Sequence, residues 1–176
     1  LNLFVNELLG VEKFSPDSDR LNKYFFKFKE KLKELGIPVV IFAGTNGKGE
    51  VSLLLEKYCL DNGLIPHLWN SPHIISVRER ISHAGFPICA STLLHYFESH
   101  RELTQKLSYY EFLFYIFCYS TLEEIKKDKN KNHILLLEVG LGGRLDATNF
   151  FDNDLAPFTS VSRDHTEFLG SKLSGI

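Results

Sequence analysis

The sequence predicts an α/β domain, a mostly parallel sheet flanked by helices, on three observations. A β-rich apolar run, Val39-Val40-Ile41-Phe42-Ala43, leads straight into a glycine loop and then into a helical pattern. A second run, Ile134-Leu135-Leu136-Leu137, is unbroken and apolar, which suits a parallel strand covered on both faces. Between the two, strand-like and helical segments alternate, the order that generates parallel sheets.

The elements follow in order along the chain. Residues 1–36 read as helical. Asp17 or Ser18 can cap a helix in which Leu21, Tyr24, Phe25, Phe28, Leu32 and Leu35 share one face. The intervening lysines are its solvated face, and Gly36 is its stop. Behind the glycine loop, Val51, Leu54, Leu55, Tyr58 and Cys59 recur at helical spacing until Asn62-Gly63 ends the helix. Residues 65–69 form a second short strand. Residues 71–85, polar, irregular and containing Pro72, read as a surface loop. Ser91 or Thr92 starts a helix reaching about residue 105, and residues 109–125 are a long aromatic helix expected to be buried. Residues 126–132 are a charged connection. Glu138 then closes the apolar strand, and residues 156–161 are a further strand candidate with Asp164 and His165 just beyond. There is no internal repeat and no low-complexity segment.

Composition narrows the class. A chain of 176 residues suits one well-formed core. Hydrophobic residues at 44% and charged residues at 24% are ordinary for a soluble globular protein. A net charge of −2 argues against nucleic acid as the main partner. The three cysteines, Cys59, Cys89 and Cys118, are too widely spaced for a zinc knuckle or a disulfide framework. Cys59 and Cys118 read as buried thiols of a reducing cytosol. No apolar run reaches the ~18 residues that span a bilayer, and the start lacks the basic segment of a signal peptide. A cytoplasmic monomer with no membrane partner is expected. Methionine is absent and the C-terminal end carries no natural stop signal, so the sequence reads as part of a longer protein.

The chemistry concentrates in Gly44-Thr45-Asn46-Gly47-Lys48-Gly49. Glycines let successive backbone N–H groups converge on phosphate oxygens. The following helix adds its positive N-terminal end, and Lys48 can reach the terminal phosphates. A hydroxyl is the expected magnesium ligand at the next position, where this chain has Glu50. A carboxylate is a good hard ligand and suits a helix start, yet it brings negative charge close to a triphosphate. Metal ligand and simple helix-start residue both stay open for Glu50. Ser52 would point elsewhere on the helix.

Further segments carry a resemblance. They are Ser71-Pro72-His73 with Glu79-Arg80-Ile81, the stretch Glu138-Val139-Gly140-Leu141-Gly142-Gly143-Arg144-Leu145-Asp146-Ala147-Thr148-Asn149, and Asp164-His165-Thr166-Glu167-Phe168-Leu169-Gly170. With the glycine loop, they closely resemble the folylpolyglutamate synthase and dihydrofolate synthase family of the Mur ligase superfamily. The motifs fall in the family's order and span residues 43–170.

The resemblance implies a phosphate-loop nucleotide-binding domain like the central domain of Mur ligases. Residues 1–176 would be the N-terminal ATP-binding domain of a two-domain enzyme, its C-terminal glutamate-ligase domain absent from this sequence. The implied activity is ATP- and magnesium-dependent joining of L-glutamate to dihydropteroate or to a folate. It further implies that Glu138 binds magnesium, that His165 holds a second metal, and that Ser71 fills the third ligand position. Residues 71–81 match the substrate-binding loop, with Ser71, Pro72, His73 and Arg80 as candidates. Arg78 and Arg80 are candidates for a carboxylate contact or for solvated surface charge. Arg144 and Asp146 stand in a glycine-rich turn, equally readable as an ion pair. Phe86 and Trp69 are candidates for stacking on a pterin, with core packing the commoner role for Trp69. Lys172 is the one candidate for the carbamylated lysine of related ligases.

On this reading the metals hold the β- and γ-phosphates, the substrate carboxylate attacks the γ-phosphate, and the glutamate amine attacks the resulting acyl phosphate. Lys48, Glu138 and His165 carry the chemistry, and no nucleophilic Ser or Cys is needed. Two alternatives stand beside it: a catalytically impaired nucleotide-binding relative, which Glu50 favours, and a Mur-type ligase acting on cell-wall precursors.

Overall fold

The computed structural model describes residues 1–10, 18–163 and 165. Five helices and five strands are found among them: α1 (Asn2–Leu9), α2 (Ser18–Glu34), β1 (Val39–Phe42), α3 (Lys48–Asp61), β2 (Ile65–Trp69), β3 (Ile81–His83), β4 (Phe86–Pro87), α4 (Ala90–Ser99), α5 (Tyr109–Lys127) and β5 (His133–Glu138). The sheet order is β1-β5-β2-β3-β4. β5 lies between β1 and β2 and runs parallel to both, whereas β3 and β4 add antiparallel pairs. Residues 155–158 run along the outer edge of β1 through two parallel bridges, Val40 with Leu155 and Ala43 with Phe158. The strand expected over residues 156–161 is thus an extended segment, not a full ladder.

Alternation along the strands sorts the core into two layers. Val39, Ile41, Trp69, Leu135 and Leu137 point into the large cluster with the aromatic side chains of α5, while Val40, Phe42, Leu68 and Leu136 form a smaller one beside Leu55 of α3. Helices therefore cover both faces of the parallel strands, which is why residues 39–42 and 134–137 are apolar without interruption. α5 is fixed at its start by a capping box between Ser108 and Glu111. Arg20 of α2 grips the same Glu111 carboxylate at 2.7 and 3.0 Å, tying α2 to α5.

Two expectations change. On α3 the buried side chains are Ser52, Glu56 and Cys59, while Val51, Leu54 and Tyr58 are 38%, 69% and 62% exposed. Leu53 and Leu60 put apolar side chains outside the stripe of Val51, Leu54, Leu55 and Tyr58, so spacing marks no single buried face. Polar bonds set its rotation instead: Ser52 Oγ donates to the Gly49 carbonyl at 2.9 Å, and Glu56 accepts the Ser82 hydroxyl at 2.6 Å. The second change is in residues 71–85. They hold a 3-10 turn, Val77–Arg80, and then β3, with Val77, Arg80 and Ile81 buried. The turn is capped at its start by a capping box between Ser76 and Glu79, and Glu79 accepts the N–H groups of Ile74, Ile75 and Ser76.

Candidate functional site

The carboxyl ends of β1, β5 and β2 meet at one edge, the usual position of a ligand site in an open α/β sheet. β1 delivers the glycine loop. Gly44 has φ 131°, and a Cβ there would collide with the Thr159 hydroxyl and stand 2.8 Å from the Ser160 carbonyl. Gly47 takes the left-handed conformation at the N-cap of α3. These two positions require glycine on backbone grounds. Lys48 opens the helix and folds back, its ammonium donating to the carbonyls of Gly44 at 2.9 Å and Thr45 at 3.3 Å. The N–H groups of Thr45 and Asn46 donate to Ser160, to its carbonyl and its hydroxyl respectively. Residues 158–162 thereby close one side of the loop.

β5 delivers Glu138, which is buried. Its Oε2 accepts the backbone N–H of Ser71 at 2.8 Å, joining the end of β5 to the segment after β2. Burial raises the Glu138 carboxyl above its ordinary range and the charge of Glu50 adds to this, while the Ser71 N–H and the Lys48 ammonium pull it down. Gly49 lies directly opposite. A Cβ at that position would be 3.4 Å from Asn70 Oδ1 and 3.7 and 3.8 Å from the two Glu138 oxygens. The first turn of α3 is thus open toward a group of oxygen donors.

That donor set fits magnesium. Carboxylate, amide and hydroxyl oxygens are hard ligands, and magnesium is commonly held by one or two carboxylates plus phosphate and water. No group of three or more His, Cys, Asp or Glu side chains is arranged for a metal among the described residues, so a closed all-protein cage of the kind zinc uses is not seen there.

Not every predicted residue arrives at this point. Lys48, Gly49, Glu50, Ser71 and Glu138 converge. His165 lies instead in a cleft of about 170 Å³ with Gly44, Thr45, Lys48, Gly140, Gly142 and Ser162 around it. It is exposed, with φ 46°. Asp164 and Lys172 lie outside the described residues. Arg80 is no solvated charge: it is buried, its Nε donates to His73 Nδ1 at 2.9 Å, and its guanidinium lies over the Tyr109 ring. Its carbonyl also accepts the N–H of Asn70, so Arg80 holds both ends of residues 70–73. Arg78 is likewise tied down, donating to the Ile88 carbonyl at 2.6 Å.

Trp69 is fully buried and donates to Tyr110 Oη at 2.9 Å, so its role is core packing. Phe86 is exposed on β4. The suggested Arg144–Asp146 ion pair is replaced by a different arrangement. Asp146 Oδ2 accepts the N–H groups of Gly140 and Leu141, and Oδ1 accepts the Thr148 N–H, the Thr148 hydroxyl and the Tyr110 hydroxyl. Asp146 thus shapes the turn that walls the cleft, and its carboxyl is pushed up by burial despite those bonds. Sequence reading missed Asn70. Its only signal is its position, immediately before Ser71-Pro72 and after a strand.

Comparison with known proteins adds to this geometry. The chain is 41% identical over 141 residues to the dihydrofolate synthase/folylpolyglutamate synthase of Haemophilus influenzae, covering 78% of this chain and 30% of that protein. It superposes on Escherichia coli FolC in complex with DHPP and ADP with a TM-score of 0.81 at 27% identity, covering 99% of this chain and 41% of the other. A bifunctional folylpolyglutamate synthase/dihydrofolate synthase with Mn, AMPPNP and L-glutamate bound superposes with a TM-score of 0.74 at 31% identity, covering 94% and 39%. No family model matches. The chain spans about a third of the length of the curated relatives it matches.

Proposed function

We propose a function on one premise: this chain belongs to the dihydrofolate synthase/folylpolyglutamate synthase family. The chain is the N-terminal nucleotide-binding part of an ATP-dependent amide ligase that joins L-glutamate to dihydropteroate, to a folate, or to both. The observation that carries this reading is the junction of Glu138, Ser71 and Gly49, where the phosphate loop faces a buried carboxylate.

In the reaction, Gly44, Thr45, Asn46, Gly47 and Lys48 form the phosphate cradle, with the Lys48 ammonium leaving its own loop carbonyls for the terminal phosphate. Glu138, Ser71 and Asn70 are the side that would hold magnesium, which when bound supplies charge neutralisation at the phosphates. His165, in the cleft beside the loop, would hold a second ion. The residues between Ser71 and Arg80 carry the acceptor, with His73 oriented by Arg80. The acceptor carboxylate oxygen attacks the γ-phosphorus and ADP departs. The glutamate amine then attacks the acyl carbon, phosphate departs, and the nitrogen loses a proton. The residues position these groups and stabilise charge.

The test is phosphate release by the full-length gene product with ATP, magnesium, L-glutamate and either dihydropteroate or tetrahydrofolate. Turnover with at least one acceptor is expected, and absence with both sinks the substrate assignment. A second reading, a nucleotide-binding relative impaired in catalysis, draws on Glu50, whose charge is felt at Glu138. Under it, Glu50→Ser restores ATP–magnesium binding that the unmodified protein lacks.

A further inference from the structure

Three histidines that take no part in this site form a continuous row beneath α5. His67 Nδ1 meets His83 Nδ1 at 2.9 Å, and His67 Nε2 meets His133 Nδ1 at 3.0 Å. The row is anchored at both ends. His83 Nε2 meets the Ser120 hydroxyl at 2.8 Å, and His133 Nε2 meets the Asp128 carbonyl at 2.9 Å. His67 and His133 are buried, and the His83 ring stacks on Phe117. The row crosses β3, β2 and β5 and ends on α5 and on the turn after it.

We infer that Ser120, His83, His67 and His133 act as one hydrogen-bonded latch that holds β3 to β2 and α5 at neutral pH and loosens it on acidification.

A carbonyl only accepts, so His133 Nε2 carries an N–H toward Asp128. In the uncharged row, His133 Nδ1 accepts from His67 Nε2–H, His67 Nδ1 accepts from His83 Nδ1–H, and His83 Nε2 accepts the Ser120 hydroxyl. One added proton is also accommodated. Each hydrogen shifts one place, His83 Nε2–H donates to Ser120 Oγ, and the hydroxyl turns to the Phe117 carbonyl 3.0 Å away. A second proton forces two N–H groups to face each other at hydrogen-bond distance. The folded row thus takes up one proton at most, whereas the three free histidines of an unfolded chain take up three.

Even the first proton is a buried charge with no uncompensated acid beside it. The charged groups facing His83 are Glu124 and Lys127 of α5, and they oppose one another. Burial holds His83 down to about 4, and burial with its two imidazole neighbours holds His67 down to about 2. Against an ordinary histidine value of about 6.5, the unfolded chain protonates first. Stability is therefore lost as pH falls below about 6.5, and for His83 the loss stops growing below about 4. β3 follows directly on the Val77–Arg80 turn, so the latch also anchors the loop that bears Ser71. That consequence for the site rests on the proposed function, while the latch itself does not.

The test uses the 176-residue chain and needs no activity. Nitrogen NMR of the imidazoles at pH 7.5 is expected to find N–H on His133 Nε2, His67 Nε2 and His83 Nδ1. Between pH 7.5 and 5.5 the amides of β3 are expected to lose hydrogen-exchange protection relative to those of β1. The thermal midpoint should fall by roughly 5–10 °C more than in the His67→Gln, His83→Gln double variant. The variant comparison matters because Glu56, Glu138 and Asp146, pushed up by burial, act in the opposite sense. Ring nitrogens of His67 that titrate near pH 6.5, or an equal fall in the variant, overturn the latch. If the double variant does not fold, the imidazole spectra and amide exchange of the unmodified chain decide.

Discussion

The carboxylate of Glu138 and the backbone of Ser71, 67 residues apart in sequence, are joined by a 2.8 Å hydrogen bond at the open end of the sheet. Glu138→Gln tests what that carboxylate does. The amide keeps the size and one acceptor, so the fold is expected to survive. The charge that would hold a divalent ion is lost. Turnover of the full-length protein should drop by about 10²-fold or more, and nucleotide binding should lose its dependence on magnesium. Burial raises the Glu138 carboxyl, so metal-dependent binding in the unmodified chain is expected to weaken on acidification before that of an ordinary glutamate would. Titration calorimetry with ATP, with and without magnesium, checks both. Unchanged magnesium dependence in the variant removes Glu138 from the metal site.

Asp146 is a sharper structural test. Both oxygens only accept, from five donors in all. In Asp146→Asn the NH2 faces the N–H groups of Gly140 and Leu141 if it takes the Oδ2 place, and the Thr148 N–H if it takes the Oδ1 place, where the Thr148 and Tyr110 hydroxyls can turn to accept from it. The substitution is therefore expected to cost about 1–3 kcal/mol, less than Asp146→Ala. Urea unfolding midpoints of the two variants measure this, and an Asn variant close to the unmodified chain contradicts the bonding scheme.

Much of the frame was legible because its residues are dictated locally. β1 and β5 are buried on both faces and carry unbroken apolar runs, and the glycine loop needs Gly44 and Gly47 for backbone reasons. What stayed hidden depends on partners distant in sequence. Arg80 looks like a surface charge until His73 and Tyr109 are seen around it. Arg144 and Asp146 look like an ion pair until backbone N–H groups prove to be the partners of Asp146. The histidine row spans residues 67–133, and strand register alone brings it together. On α3 apolar residues scattered around the helix left the buried face undetermined, and Ser52 and Glu56 decided it.

Glu56 carries its own consequence. Its carboxyl is buried under β3, and burial raises it more than the Ser82 hydroxyl lowers it. The folded chain thus favours the protonated form, and stability is lost as pH rises from the ordinary carboxylate range through the raised value. Glu56→Gln keeps an acceptor for Ser82 and removes the buried charge. At pH 7 the variant is expected to melt roughly 2–4 °C higher, about 1 kcal/mol for a chain of this size. At pH 4 the gain should vanish. A variant that melts lower at pH 7 means the charged carboxylate is better compensated than its burial suggests.

Gly44 and Gly49 separate folding from binding within one loop. At Gly44 a methyl group meets the Ser160 carbonyl at 2.8 Å on a backbone with φ 131°, so Gly44→Ala strains the chain and pushes residues 159–160 off the edge of β1. Loss of stability is expected, with weaker nucleotide binding as its by-product. Gly49 lies inside the helix, and its methyl group would make only ordinary contacts, the nearest at 3.4 Å to Asn70 Oδ1. Alanine is the better helix former by about 0.5–1 kcal/mol, so Gly49→Ala should melt no lower than the unmodified chain. Its methyl group nevertheless fills the space between the helix start and Glu138, where phosphate and ion would meet. Loss of ATP–magnesium binding without loss of stability is therefore expected at Gly49, and loss of both at Gly44. Thermal melts paired with calorimetry read the two effects separately. A Gly49→Ala chain that binds ATP–magnesium normally would mean that the ligand does not occupy the gap between α3 and β5.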